Sequence, residues 1–181
     1  QPRVDVPSPE FSAGRNPIGR AIPVARITDM LERPGATFAF NGREAAYPKI
    51  ELVYWAGGNP FHHHQDLNRL VEAFRRPETI IVHEPWWTAT ARHADIVLPA
   101  TTTLERNDIG WSSRDDRIVA MKQAVPPRHE AHSDYEIFSA IAAVMGHGDT
   151  YTEGRGEEAW LRYLYDRAAT RASRLPPSST S

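Results

Sequence analysis

Three short stretches hold most of the side chains that could do chemistry: Gly57-Gly58-Asn59-Pro60, His83-Glu84-Pro85-Trp86-Trp87-Thr88, and Glu105-Arg106-Asn107-Asp108. Gly57 and Gly58 let a backbone approach a ligand closely, and Asn59 offers a donor and an acceptor. The same residues also suit a plain strand-to-helix turn. His83 and Glu84 put an imidazole beside a carboxylate, and an acid some 20 residues beyond a glycine turn commonly takes a ribose hydroxyl. Equally, Glu84 suits a helix cap or an open surface. Trp86 and Trp87 offer rings to a heterocycle or plugs to a core. The knot from Glu105 to Asp108 would clamp a ligand or hold its own loop.

His62-His63-His64 has the residue type of a metal site but not the geometry. Three consecutive side chains at a helix start point about 100° apart and do not converge on one tetrahedral ion. The sequence has no His-Glu-x-x-His, no P-loop, no Gly-x-Ser-x-Gly elbow and no Gly-x-Gly-x-x-Gly, so zinc hydrolase, NTPase, α/β-hydrolase and ordinary dinucleotide dehydrogenase readings lose their main support.

The elements that would position these stretches alternate between strand and helix. Pro23 opens a short amphipathic helix with Val24, Ile27, Met30 and Leu31, stopped by Pro34-Gly35. Asn41-Gly42 between alternating aromatic residues predicts a hairpin over 37–47. Ile50 to Ala56 reads as a strand, Leu67, Leu70, Val71 and Phe74 as a helix face, and Thr79 to His83 as a buried parallel strand. A second cycle, helix 88–94 and strand 95–98, follows. Strands and helices in this alternation predict a parallel sheet with right-handed crossovers. In such sheets ligands sit beyond the carboxyl ends of the strands, where the three stretches lie.

Further along, 104–116 reads as a polar loop and 117–122 as an edge strand. Ser133-Asp134-Tyr135-Glu136 is a capping box opening a helix to Gly146. Glu157 to Arg171 makes an amphipathic helix on Trp160, Leu161, Leu164 and Tyr165.

The 181 residues are 40% hydrophobic and 24% charged, as in an ordinary globular protein, so a disordered, collagen-like or coiled-coil chain is excluded. A formal charge of -2 gives no field to hold nucleic acid or an anionic membrane. Without cysteine there are no disulfides, zinc thiolates or iron-sulfur ligands from this chain. No apolar run suits a membrane helix, and the first residues lack the pattern of a signal peptide. A cytoplasmic location is therefore favoured over a periplasmic one.

Taken together, 53–69 (VYWAGGNPFHHHQDLNR), 79–90 (TIIVHEPWWTAT), 94–102 (ADIVLPATT) and 105–108 (ERND) closely resemble the molybdopterin oxidoreductases. Within them the match is to the dimethyl sulfoxide, trimethylamine N-oxide and biotin sulfoxide reductase branch, with wording nearest the biotin sulfoxide reductases. The resemblance spans about residues 15 to 146.

It implies an α/β fold, a Rossmann-like three-layer αβα arrangement with a mostly parallel sheet, belonging to a larger multidomain enzyme. The cofactor implied is bis(molybdopterin guanine dinucleotide) molybdenum, which accepts oxygen from an S-oxide or N-oxide and needs domains beyond this chain. Gly58, Asn59, His83 and Glu84 are the implied cofactor contacts: Gly58 by backbone access, Asn59 and His83 on the dinucleotide, Glu84 on ribose or guanine. No catalytic residue and no metal ligand is assigned here, because the molybdenum-ligating serine of the family lies upstream of the matched segments.

Expected partners are the pterin dinucleotide, a small S-oxide or N-oxide, and an electron-donor protein, with no nucleic acid and no membrane insertion. The expected layout is an extended arm over 1–20, a partial dinucleotide-binding domain over 21–150, a helix over 151–175 and a tail over 176–181. The chain alone is expected to be an inactive piece. The alternative is a noncatalytic nucleotide-binding or interaction module.

Overall fold

The structure is a computed structural model that describes residues 22–112 and 118–171. The expected arm and tail lie outside the described residues. The chain divides into two compact units, one over Arg15–Ala100 and the other built mainly from Thr101–Ser181.

In the first unit a turn of 3-10 helix, Val24–Arg26, leads into α1 (Ile27–Glu32). The hairpin follows as β1 (Thr37–Phe40) and β2 (Arg43–Ala46), paired antiparallel with Phe40 opposite Arg43. Asn41 and Gly42 both take positive φ, 50° and 73°, the geometry that a two-residue turn needs to match strand twist. Phe38 and Tyr47 stack with their ring centres 4.4 Å apart.

Then β3 (Leu52–Ala56) runs into α2 (Pro60–His63) and α3 (Leu67–Phe74), where the sequence showed a single helix after the turn. Asp66 caps α3, its carboxylate accepting from the Arg69 N–H at 3.1 Å. β4 (Thr79–Glu84), α4 (Ala89–Arg92) and β5 (Ile96–Pro99) complete the alternation. The sheet order is β3-β4-β5, all parallel, with Ala56 beside His83 and Glu84 beside Pro99.

Strands that add in one direction through crossovers of one hand put their helices on one face. The core agrees: Leu31, Phe61, Leu70, Ala73, Phe74 and Ala91 from the helices pack on Ile80 and Val82. Val53, Trp55 and Val97 flank them on the same face. Leu52, Tyr54, Ile81, His83, Ile96 and Leu98 alternate onto the other face, where Leu52 and Ile96 stay about half exposed. The mixed α/β fold with a parallel sheet is thus present.

In the second unit β6 (Asp108–Gly110) pairs antiparallel with β7 (Val119–Met121). The sequence reading placed β6 inside a polar loop. Three residues are too few to show alternation, and pairing with β7 makes the strand. α5 (Asp134–Val144) carries the capping box in full: Ser133 Oγ accepts from the Glu136 N–H, and the Glu136 carboxylate accepts from the Ser133 N–H. α6 (Gly148–Thr152), unforeseen, precedes α7 (Glu157–Arg171), which buries Trp160, Leu164 and Ala168.

Candidate functional site

The carboxyl ends of β3 and β4 stop side by side, and the side chains beyond them are fixed by one another. Gly57 and Gly58 take φ of +81° and +76°, a conformation that costs other residues about 1–2 kcal/mol. Only glycine makes this double turn cheaply. A Cβ on Gly57 would meet nothing within 4 Å, and one on Gly58 would meet only Trp55 Nε1, at 3.8 Å. That indole nitrogen is buried and has no hydrogen-bond partner among the described residues.

Asn59 is the residue before α2, and Pro60 takes the first helical position, where its missing N–H is no loss. The Asn59 side-chain oxygen accepts a short hydrogen bond from the Thr90 hydroxyl of α4. Thr90 is fully buried, so this bond fastens the turn after β3 to the helix after β4.

At the end of β4 the Glu84 carboxylate accepts from the Thr88 hydroxyl at 2.9 Å, and Thr88 Oγ1 in turn accepts from the Ala91 N–H at 3.2 Å, capping α4. His83 is buried and turns its ring to the sheet face away from the helices, where Nε2 meets the Tyr54 hydroxyl at 2.6 Å. The structure thus brings Gly58, Asn59 and Glu84 to the helix-bearing side of the strand ends. His83 shares their edge but faces the other side.

Sequence reasoning missed Thr90 and Tyr54. A hydroxyl inside a four-residue helix and an aromatic in an apolar strand carry no signal until the neighbouring strand is in register.

Trp86 and Trp87 are 68% and 65% exposed within this chain, so neither is a core plug of this unit. The knot from Glu105 to Asp108 holds its own loop. Glu105, buried, accepts from the Thr102 N–H and hydroxyl at 2.8 and 2.9 Å and from the Arg128 N–H at 3.1 Å. Those bonds from Thr102 above all, then Arg128, hold its carboxyl below the ordinary glutamate range against the opposing effect of burial. Arg106 donates to the Thr101 carbonyl at 2.8 Å and pairs with Asp108, and Asn107 accepts from the Gln123 N–H at 3.0 Å.

The histidine run disperses as its geometry requires. His64 is buried and donates from Nε2 to the Val24 carbonyl at 3.0 Å, while His62 and His63 are exposed. An open cleft of about 880 Å³ in the second unit, lined by Phe138, Met145, Tyr151, Trp160 and Tyr163 among others, contains none of the candidate site residues Gly58, Asn59, His83 and Glu84. No described helix is long and apolar enough to cross a membrane.

Residues 19–144 match the sequence profile of the family described as Molybdopterin oxidoreductase. The chain is 54% identical over 167 residues to the biotin sulfoxide reductase of Cereibacter sphaeroides, covering 92% of this chain and 22% of that protein. It is 55% identical over 150 residues to the dimethyl sulfoxide/trimethylamine N-oxide reductase of Rhodobacter capsulatus, covering 82% and 18%. It therefore spans about a fifth of the length of these relatives. Among solved structures, acetylene hydratase from Pelobacter acetylenicus superposes with a TM-score of 0.50 at 22% identity, over 57% of this chain and 14% of that one. That likeness concerns the fold. The sequence match over more than half its length decides the family: this chain belongs to the molybdopterin oxidoreductases.

Proposed function

We propose that the chain is a cofactor-holding part of a molybdenum enzyme that reduces S-oxides or N-oxides, the substrates named in its relatives. The cofactor in this reading is bis(molybdopterin guanine dinucleotide) molybdenum, whose metal supplies the oxygen-atom and electron chemistry. This chain supplies none of that chemistry. Its residues bind and orient.

One observation carries the reading: a left-handed double-glycine turn ends β3 beside the end of β4, with Asn59 anchored by Thr90 and open space where side chains at 57 and 58 would be. A long dinucleotide fits such an edge. Gly58 would give it backbone access, Asn59 a side-chain contact, and the second Glu84 oxygen an acceptor for ribose or guanine. A ligand crossing the strand ends would reach His83 on the other side, with Tyr54 fixing the ring. The buried, unpartnered Trp55 indole beside Gly58 is the kind of group that a bound ligand satisfies.

The same reading gives the sheet its third layer. Parallel sheets are normally covered on both faces, and the half-exposed Leu52 and Ile96 mark the face that the rest of the enzyme would cover.

The test is made in the complete reductase. Asn59→Ala should lower molybdenum and guanine nucleotide content per polypeptide at least tenfold in metal analysis and nucleotide release, with secondary structure unchanged. A fully loaded Asn59→Ala enzyme would remove the site from this reading.

A further inference from the structure

α4 is only four residues long, too short to hold its shape by backbone bonds alone, and side chains fix it at both ends. At its start Thr88 caps it and donates to Glu84, which fastens it to the end of β4. At its other end stands His93. The His93 N–H bonds the Thr90 carbonyl at 3.0 Å, and the ring Nδ1 donates to the Ala89 carbonyl at 2.7 Å. A carbonyl only accepts, so Nδ1 carries the proton whatever the charge of the ring, and the bond holds the ring back along α4.

That ring lies flat on Phe61, with centres 4.1 Å apart and planes within 6° of parallel. Phe61 is buried, meets Phe74 edge-on at 5.0 Å, and is the second residue of α2, two after Asn59. α4 therefore grips the start of α2 at two points, Thr90 on Asn59 and His93 on Phe61. One hydrogen bond alone leaves Asn59 a pivot, and a second contact two residues further on removes it. His93 itself is exposed. A ring held at its edge by its own helix and at its face by the next one sets an angle between the two rather than filling a core.

From this we infer that His93 is a positioning residue, which locks α4 against α2 and so holds Asn59 in one orientation at the end of β3. The inference rests on the cofactor reading above and adds to it a residue that meets the ligand only through Asn59.

The test is made in the complete reductase and follows release of molybdenum and guanine nucleotide, not turnover. His93→Ala and His93→Asn, which lack the ring, should release both at least tenfold faster than wild type. His93→Phe keeps a flat ring for Phe61 and should stay within about threefold of wild type. Val71→Ala, which trims the same core from α3, is the control for stability. It should lower the unfolding temperature at least as much as His93→Ala and release cofactor at the wild-type rate. Because His93 acts through Asn59, His93→Ala with Asn59→Ala should release cofactor no faster than Asn59→Ala alone.

Wild-type release from His93→Ala overturns the inference. So does release from His93→Phe as fast as from His93→Ala, release that simply follows unfolding temperature through Val71→Ala, or additive losses in the double variant. These outcomes leave the cofactor reading standing as long as Asn59→Ala loses cofactor. If Asn59→Ala stays fully loaded, that reading falls and this inference falls with it.

Discussion

Gly58 is the residue at which backbone conformation and proposed function meet most directly. With φ at +76°, Gly58→Ala should cost about 1–2 kcal/mol of local strain, while the added methyl enters space that the cofactor reading gives to the ligand. The variant should therefore lose cofactor by more than its stability loss accounts for. Gly35, also at positive φ with open space around it, is the control: Gly35→Ala should cost similar stability and leave molybdenum content unchanged. Glu105 supports a pH prediction of different origin. Because its hydrogen bonds from Thr102 and Arg128 depress its pKa, the folded loop binds fewer protons than the unfolded one. Its contribution is complete above the ordinary glutamate value of about 4.3 and is lost as pH falls from there through the lower folded value. Hydrogen exchange of the Thr102 and Arg128 amides should lose excess protection over that interval, and Glu105→Gln should weaken it already at pH 7.

At the level of elements, much of the fold in both units was legible because its signals are local. Asn41-Gly42 can make one kind of turn cheaply, Ser133 with Glu136 can cap only a helix start, and Thr79 to His83 is too apolar and too short for a surface helix. What stayed hidden depends on partners distant in sequence. β6 exists because β7 pairs with it, Thr90 matters because α4 lies beside the turn after β3, and α6 is too short for its periodicity to be read. The carboxyl-end loops could be chosen from topology alone, but the side to which each residue turns needed the register of Ala56 against His83. The capping box offers a clean test of local encoding. Ser133→Ala removes the acceptor for the Glu136 N–H. It should cost about 1 kcal/mol in denaturant unfolding, whereas Ser139→Ala, within the same helix, should cost less.

For the whole molecule the decisive fact is the asymmetry of the parallel sheet. One face is closed by α1 to α4, and the other leaves Leu52 and Ile96 at 54% and 45% exposure. A small parallel sheet exposing apolar side chains is poorly suited to water, and the relatives are about five times longer than the matched segment. If the missing length covers this face, the effect of polar substitution should depend on whether that length is present. In the 181-residue chain alone, Leu52→Gln with Ile96→Gln should reduce hydrophobic-dye binding and self-association without loss of stability. In the complete reductase the same pair should destabilise by about 1 kcal/mol per residue, since roughly half of each side chain's burial would be forfeited. Dye binding, size-exclusion elution and thermal unfolding of both lengths check this. Equal behaviour in the two contexts would mean that Leu52 and Ile96 stay exposed, and that no third layer forms over them.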